Sequence, residues 1–463
     1  MAKIVAIVLV LFLFLLAYRL REVPPGLTSD EAAFGYNGAL LAKTGHDENG
    51  KFLPFFVLSL EGKDWRQPVT QYATAGFFKI FGASLFNLRF VSVLATLFGI
   101  FLTMFLVNHL WGRLAVVFSG IIFVTTPIIF IQSHMGLDNI MPVPFVALWL
   151  LSLFLYQKTK QKRYAVIAGI SLGVAFYSYK AMRIIVPVLG GLSLIYLWPK
   201  VIYFLIGVAP FVVILPFLRT AYPGALAGGF QWHDLSWDEF FYPYLSSFDP
   251  SFLFIKGDST PYHSTGMHGM FLLATLPLFL TGIYQAIKKK DRFLLLVLIS
   301  FFAAPLGMGL VASVHRASRL LALIPFYVIL SALGVETLRK QKVVLAVIGI
   351  LIFLNFYSFV KYYWFTYPKF AQSYFSQTRE ENYSVFAREA KERKLIPMID
   401  RDLYIADGVV AHFYEVAYFD EKFEMFYPDD ELPENTLLMT YRENIRRVRR
   451  IDSLPNYFLY VKE

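Results

Sequence analysis

The stretch KIVAIVLVLFLFLLAYRL at residues 3–20 carries no charge between Lys3 and Arg19. A membrane-crossing helix needs about 20 apolar residues, and only helices and closed barrels satisfy every backbone polar group inside a bilayer. The stretch does not alternate apolar with polar residues, so it indicates a helix rather than a strand. Because no small-residue cleavage site precedes Arg21, we interpret it as a retained first membrane helix.

Similar runs recur along the chain, which has 463 residues, 57% of them hydrophobic and 18% aromatic. Its mean hydropathy of +0.54 exceeds that of a soluble globular domain. Further membrane helices are predicted near residues 84–108, 114–132, 139–156, 164–180, 183–198, 201–218, 269–287, 293–312, 318–337 and 343–361. The sequence therefore predicts an α-helical polytopic membrane protein with about 11 transmembrane helices.

Basic residues in the short loops predict the orientation. They cluster at 158–163, 288–292 and 339–342, and alternating spans place all three clusters on the same side as Lys3. That side is expected to be the cytoplasmic face of the cell membrane. Topology accounts for most of the net charge of +10, and no nucleic-acid motif accompanies it, so no nucleic-acid partner is expected.

The same alternation places the loops 22–83 and 219–268, the turn 133–138 and everything after residue 361 on the extracytoplasmic side. We expect a transmembrane domain at 1–361 and a small extracytoplasmic α/β domain at 362–463. The latter has a charged amphipathic helix pattern at 378–394 and strand-like stretches at 402–405, 437–441 and 457–461. The absence of cysteine excludes disulfides and thiolate metal sites.

Two adjacent carboxylates, Asp30 and Glu31, follow the first apolar run closely. The pattern Thr28-x-x-Glu31 fits a capping box, and acidic residues in a first turn complement the helix dipole, so a purely structural role is one interpretation. The other interpretation is that these carboxylates transfer protons in a reaction just outside the bilayer. The same loop continues with Asp64-Trp65-Arg66-Gln67-Pro68 and Tyr72, then Phe-Phe-Lys-Ile-Phe-Gly at 77–82, and Asn87-x-Arg89 in the next span.

This order of motifs resembles the GT-C glycosyltransferases, in particular the protein O-mannosyltransferase and aminoarabinose transferase branch. The resemblance covers roughly residues 1–340. Arg66-Gln67-Pro68 stands where many members have His or Lys followed by Pro-Pro, which leaves the roles of Arg66 and Gln67 open. The resemblance implies sugar transfer, with inversion, from a polyprenyl-phosphate-linked donor to a protein, lipid or glycan acceptor at the outer membrane surface. Membrane lipids are the other expected partners.

The resemblance assigns Asp30 as the base that takes the proton of the acceptor hydroxyl. Glu31 and Asp138 are the other candidate catalytic residues, and they would orient the sugar or a divalent metal ion. The resemblance places Asp138 opposite Asp30, whereas a cap of the fourth helix is its structural alternative. No cofactor is certain, and a metal requirement is left open.

Arg316 and Arg319, with His315 beside them, are the candidate ligands of the donor phosphate, together with Lys180 and Arg183. Arginine binds phosphate through two N–H groups at once, but arginines and lysines also snorkel to lipid headgroups. The candidate substrate-binding residues are Arg66, Gln67, Tyr72, His134, Trp232 and His263. The histidines of the 219–268 loop match no closed metal-ligand spacing.

Two other functions are compatible with a chain that crosses the membrane many times. A transporter or lipid flippase generally needs ionisable residues near the bilayer midplane, whereas charges here gather at the ends of the spans. An oligosaccharide transferase or ligase of the same superfamily is the second alternative. The sequence favours an enzyme that works at the membrane surface.

Overall fold

The apolar runs form helices in the computed structural model, which describes residues 2–227, 236–311, 316–419, 424–427, 430–443, 445, 448–454 and 457–462. The chain divides into two compact units. The first unit comprises Met1–Tyr18, Gln67–Thr70 and Ser92–Tyr367, and the second comprises Arg19–Arg66, Gln71–Val91 and Pro368–Glu463.

In chain order, the α-helices are α1 (Ala2–Ala17), α2 (Ser29–Thr44), α3 (Pro68–Phe81), α4 (Leu85–Leu110), α5 (Arg113–Thr125), α6 (Pro127–Ser133), α7 (Pro142–Thr159), α8 (Lys162–Phe176), α9 (Met182–Leu197), α10 (Ile202–Val213), α11 (Leu215–Ala221), α12 (Trp237–Ser246), α13 (Leu276–Lys289), α14 (Arg292–Ala303), α15 (Ile324–Thr337), α16 (Lys342–Phe365), α17 (Tyr367–Ala371), α18 (Glu380–Arg393), α19 (Arg401–Asp407) and α20 (Val409–Tyr418). The strands are β1 (Val57–Ser59), β2 (Asp64–Arg66), β3 (Ile396–Asp400), β4 (Glu424–Phe426), β5 (Thr436–Thr440), β6 (Arg449–Leu454) and β7 (Tyr457–Lys462).

Within the part of the chain that the structure describes, six helical segments are long and apolar enough to cross a membrane. They are Leu85–Leu110, Asp138–Thr159, Ile202–Ala221, Arg292–Leu310, Ala317–Thr337 and Lys342–Phe365. The pair α5 and α6 would make a seventh, and α1 and α9 are shorter apolar helices. The chain is therefore a multi-pass membrane protein, while the total of 11 crossings stays a prediction.

The predicted span at 114–132 is broken rather than continuous. The axes of α5 and α6 differ by 62°, and Thr126 between them is extended, with φ −65° and ψ 116°. The cause is Pro127, because proline lacks an N–H for the helix and disfavours the helical conformation of the residue before it.

Close backbone contact joins two helices of the first unit, α13 and α15. A Cβ atom on Gly282 would lie 1.8 Å from the carbonyl oxygen of Leu330, and one on Gly334 would lie 2.0 Å from that of Leu278. Only glycine fits at these two positions. Small residues of this kind let membrane helices pack where no hydrophobic driving force operates between them.

The second unit contains a five-stranded mixed sheet of order β4-β3-β5-β7-β6. Strand β3 runs parallel to β4 and β5, and β7 runs antiparallel to β5 and β6. One core cluster of this unit is formed by Met398, Phe426, Leu432, Leu438 and Tyr460. The predicted helix at 378–394 and strands at 437–441 and 457–461 are confirmed by α18, β5 and β7. A separate domain at 362–463 stays a prediction.

The predicted strand at 402–405 is wrong, because these residues belong to α19. The strand lies just before, in β3, and ends at Asp400. The side chain of Asp400 accepts from the Asp402 amide over 3.0 Å and thereby caps the helix. The cap overrides the β-propensity of Tyr404 and Ile405.

Helix α20 supports α2 within the second unit. A Cβ on Gly35 of α2 would lie 2.7 Å from the ring of Phe413, so the two helices are in close contact there. At the other end of α2, Lys43 donates to the carbonyl oxygen of Val416 over 2.6 Å, near the C-terminus of α20. These contacts fix the position of α2, whose first turn carries Asp30 and Glu31.

Candidate functional site

Glu31 forms the capping box that the sequence pattern allows. The Glu31 amide donates to Oγ1 of Thr28 over 3.0 Å, and the Thr28 amide donates to Oε2 of Glu31 over 3.2 Å. Two of the unpaired amides at the start of α2 are satisfied in this way.

The same carboxylate forms a buried ion pair with Arg89, and both residues are 0% exposed. Nε of Arg89 lies 3.1 Å from Oε1 of Glu31. The guanidinium also donates to the carbonyl oxygens of Leu20 and Pro24 over 3.0 Å each, and to that of Gly26. These contacts favour a structural role for Glu31, which ties α2 to the segment before it. The sequence offered Arg89 only as part of Asn87-x-Arg89, without a role.

Asp30 differs from its neighbour because its side chain is 55% exposed. Its Oδ1 lies 2.8 Å from Nη1 of Arg66, whose side chain is only 4% exposed. Arg66 is held from other sides as well: Nε donates to Oγ of Ser59 over 2.6 Å, and the guanidinium lies 5.2 Å from the ring centroid of Phe34. A fixed buried cation thus orients an accessible carboxylate.

The β1–β2 hairpin places Arg66 for this contact. Val57 pairs with Arg66, and Ser59 pairs with Asp64, in an antiparallel register. Asp64 contributes a second carboxylate, with Oδ2 3.6 Å from Nη1 of Arg66. Within the described part of the chain, Nη2 of Arg66 has no hydrogen-bond partner. Nη2 is buried, so its two N–H groups face the protein interior.

Further along α2, in the same unit, Tyr36 and Asn37 make polar and ring contacts that the sequence reasoning missed. Asn37 donates to Oε1 of Glu48 over 2.8 Å, and Tyr36 stacks on His412 with ring centroids 5.4 Å apart. Burial raises the pKa of the Glu48 carboxyl, while the hydrogen bond from Asn37 and the charge of Arg66 lower it. The only signal in the sequence was that Tyr36 and Asn37 follow the acidic pair on one helix.

Gln67 and Arg183, predicted from separate motifs, meet inside the first unit. Nη2 of Arg183 donates to Oε1 of Gln67 over 2.8 Å, and Nη1 donates to the carbonyl oxygen of Leu226 over 3.1 Å. Both side chains are buried. Lys180 is partly buried just before α9. In the second unit, the hydroxyl of Tyr72 donates to the carbonyl oxygen of Pro54 over 2.7 Å.

Asp138 opens a short 3-10 turn at Asp138–Ile140 in the first unit and is partly exposed. The N-cap position of the following helix α7 is Met141, and no side chain caps that helix, so Asp138 is not its cap. His134, four residues earlier, is fully buried. Its ring lies 5.0 Å from that of Phe130 and 5.5 Å from that of Tyr363, which favours a packing role for this histidine.

His263 lies in a polar network of the first unit. Nε2 of Gln132 donates to Nδ1 of His263 over 3.1 Å and to the carbonyl oxygen of Tyr262 over 2.8 Å. Asp258, which the sequence reasoning missed, accepts from the amide of Ala317 over 2.8 Å. Burial lowers the pKa of His263 to about 4, opposed by the charge of Asp258. The imidazole is therefore neutral at pH 7 and can accept the hydrogen bond from Gln132.

The predicted arginine pair lies next to this network. Arg316 is exposed, and Arg319 is partly buried and hydrogen-bonded to Tyr179. Both positive charges act on the ring of His263, and Arg316 precedes the Ala317 amide that binds Asp258. The structure thus groups Arg316, Arg319 and His263 within the first unit. His315 and Trp232 lie outside the described residues, as does His233.

A metal ion was left open by the sequence. In the ranges that the structure describes, no three His, Asp or Glu side chains lie close enough together to hold one. The described side chains therefore do not fit a metal centre.

Comparison with known proteins agrees with the order of motifs. Residues 66–219 match the family model described as dolichyl-phosphate-mannose-protein mannosyltransferase. The structure resembles ArnT from Cupriavidus metallidurans bound to undecaprenyl phosphate with a TM-score of 0.57 and 12% identity, covering 99% of this chain and 97% of that one. The chain has the fold of a GT-C glycosyltransferase. The resemblance predicted from the sequence is confirmed.

Two further solved structures were matched by the same comparison. The apo form of the same ArnT gives a TM-score of 0.53 at 14% identity, covering 90% of this chain and 75% of that one. An apo oligosaccharyltransferase from Archaeoglobus fulgidus gives 0.45 at 13% identity, with coverage of 89% and 64%. A search of curated protein sequences finds no match.

Proposed function

We propose that this chain is a membrane glycosyltransferase that moves a sugar from a polyprenyl-phosphate-linked donor to an acceptor hydroxyl on the extracytoplasmic face. The observation that carries the proposal is the exposed carboxylate of Asp30, held at 2.8 Å by the buried guanidinium of Arg66. The family match at residues 66–219 supports transferase chemistry. The resemblance to an ArnT bound to undecaprenyl phosphate supports a polyprenyl-phosphate donor.

The proposed topology follows from the sequence. Eleven crossings place the N-terminus in the cytoplasm and residues 362–463 outside. Asp30 and Arg66 would then share the extracytoplasmic side with Asp138, Arg316 and Arg319. This arrangement suits a donor whose sugar is presented at the outer headgroup layer.

The proposed reaction is a single displacement at the anomeric carbon. Asp30 takes the proton of the acceptor hydroxyl while the acceptor oxygen forms the new glycosidic bond. The bond between the anomeric carbon and the donor phosphate oxygen breaks at the same time, and its electron pair leaves with polyprenyl phosphate. A phosphate leaves without a protein acid, so one carboxylate suffices. One displacement inverts the anomeric configuration.

Charge on the leaving phosphate would be stabilised by Arg316 and Arg319, assisted by His315, Lys180 and Arg183. The two arginines share one turn, in which the Arg319 amide donates to the Arg316 carbonyl oxygen over 3.1 Å, and the charges of both lower the pKa of His263, which supports a shared anion site. Arg183 already donates hydrogen bonds to Gln67 and to the Leu226 carbonyl oxygen. We therefore propose that it positions Gln67 in addition to assisting the two arginines at the phosphate.

We assign Asp138 to the sugar site and Glu31 to positioning, since Glu31 is buried against Arg89. Arg66 keeps Asp30 in place, and Tyr72 secures the loop at Pro54. Trp232 and His263 remain proposed substrate-binding residues from the sequence, whereas we assign the fully buried His134 to packing.

The test is donor consumption by the full-length protein in proteoliposomes. A panel of labelled polyprenyl-phosphate hexoses and pentoses is supplied with a membrane extract as acceptor source. The proposal predicts free polyprenyl phosphate and a glycosylated product of inverted configuration from one donor. Movement of a donor or solute across the bilayer without any glycosyl product would instead favour a carrier and contradict the proposal.

A further inference from the structure

A cavity of 880 Å³ lies within the second unit, and neither Asp30 nor Arg66 lines it. Its walls come from residues 19–26, residues 84–85, residues 368–384 and the side chains of Tyr414 and Tyr418. All of these belong to one compact unit. A volume of this size accommodates a ligand as large as a substituted sugar or a lipid headgroup.

Four basic side chains line the cavity, and two of them are already neutralised. Arg19 pairs with Glu22 over 2.6 Å, and Arg21 lies 3.7 Å from Glu380. Glu380 is committed further, because its Oε1 accepts from the Leu85 amide over 2.8 Å and from the hydroxyl of Tyr418. The lining carboxylates are therefore largely occupied by protein groups.

The other two basic side chains are Lys369 and Arg379, and both are exposed. Neither has a carboxylate within 4.0 Å among the residues that the structure describes. Glu381 is the remaining acidic residue of the lining, so the cavity keeps a net positive charge. An ammonium and a guanidinium that share one cavity suit the oxygens of a phosphate group.

The chain reaches this cavity directly from the ends of two apolar helices. Arg19 follows the end of α1 at Ala17 by two residues, and Lys369 follows the end of α16 at Phe365 by four. Basic residues in such positions lie at the depth of lipid headgroups. A phosphate carried by a lipid is therefore the source that these positions favour.

We propose that this cavity binds a phosphate-bearing lipid headgroup at a site separate from Asp30. The site is linked to α2 through one residue: Arg89 holds the carbonyl oxygen of Gly26, which lines the cavity, and also holds Glu31. A headgroup bound there would steady the segment that leads into α2. The proposal stands whether or not the chain transfers a sugar.

The test uses the full-length protein in phosphatidylcholine nanodiscs, with phosphatidic acid as the lipid probe and inorganic phosphate as the soluble probe. Binding is measured by native mass spectrometry and as a shift in melting temperature. Phosphatidic acid should bind the wild type and stabilise it, and Lys369→Gln with Arg379→Gln should weaken binding roughly tenfold or more, because two charge-assisted hydrogen bonds are lost.

The matched control neutralises two other exposed cations of the same region, Lys391→Gln with Lys394→Gln, which lie outside the cavity. It should bind like the wild type. Because Lys369 and Arg379 are exposed, each single variant should fold, and each should show part of the loss. Equal binding by the control and the cavity variant would overturn the proposal. Binding of inorganic phosphate but not phosphatidic acid, with the same dependence on Lys369 and Arg379, would keep a phosphate site and overturn the lipid source.

Discussion

Arg66 lies 2.8 Å from Asp30, with the cation buried and the carboxylate exposed. An exposed carboxylate alone would sample many rotamers, whereas this contact gives it one direction. We therefore expect Arg66→Gln to lower the rate of sugar transfer by about 100-fold, the cost of a small misplacement of a catalytic group. Arg66→Lys should keep part of the rate, because it retains the charge but not the fork of N–H groups.

Initial rates with a labelled donor check this prediction. The control is Lys63→Gln in the same hairpin, whose side chain is exposed and pairs with the exposed Glu61. The control should have the rate of the wild type. An Arg66→Gln variant with wild-type kinetics would show that Asp30 needs no such partner.

The second prediction separates Glu31 from its neighbour. Glu31→Gln leaves the buried Arg89 without its counter-charge, which should cost about 3–5 kcal/mol of folding free energy. Activity per folded molecule should be retained, because the lost group positions α2 rather than touching the substrate. Thermal melts and rates normalised to folded protein check both parts, with exposed Glu22→Gln as control. A stable Glu31→Gln protein without activity would restore a catalytic role for Glu31.

The third prediction concerns the donor phosphate. Arg316→Gln and Arg319→Gln should each raise KM for the donor about tenfold, since a hydrogen bond to a charged group contributes about 1.5–3 kcal/mol. Lys340→Gln, in a basic loop predicted to be cytoplasmic, should leave KM unchanged. Steady-state kinetics over a range of donor concentrations measure the effect. If all three variants behave alike, the arginines are ordinary headgroup anchors.

A fourth prediction follows from Asp407. Burial of this carboxyl raises its pKa from 3.8 to about 6. It accepts hydrogen bonds from Thr378 and, over 3.1 Å, from Tyr383. The folded state thus binds its proton more tightly than the unfolded state, and stability falls as pH rises from about 4 through about 6. Above that range the free energy of unfolding is lower by about 3 kcal/mol than below it.

Asp407→Asn resembles the protonated carboxyl and should remove this pH dependence. Melting temperatures of the detergent-solubilised protein at pH 4 and pH 8 measure it: the variant should exceed the wild type at pH 8 and come close to it at pH 4, near the unfolded-state pKa. Glu392→Gln, an exposed change on α18, should follow the wild type. An unchanged difference between the two pH values in Asp407→Asn would contradict the assignment.

Local patterns in the sequence predicted local structure well. Each predicted membrane span contains α-helix, although the span near 269–287 becomes α-helical only at Leu276, and Thr28-x-x-Glu31 forms the expected capping box. The exceptions have local causes that hydropathy does not register. Pro127 breaks a span that reads as continuous, and the cap at Asp400 turns a strand-like stretch into α19.

Partners far apart in the chain could not be predicted. Glu31 and Arg89 are 58 residues apart, Gln67 and Arg183 are 116 apart, and Asp258 binds the amide of a residue 59 positions later. Each contact depends on tertiary packing, which a single sequence does not specify. This is why the sequence could name Asp30 and Glu31 together but could not tell the exposed carboxylate from the buried one.

The most direct measurement is sugar transfer by Asp30→Asn in proteoliposomes with the labelled donor that the wild type consumes. The asparagine can still accept from Arg66, and Asp64 keeps a carboxylate 3.6 Å from the same guanidinium, so the melting temperature should change little and the affinity for the donor should be unchanged. Transfer should fall at least about 100-fold, as expected when a general base is removed. An Asp30→Asn protein that transfers sugar at the wild-type rate would contradict the assignment of Asp30 as the base.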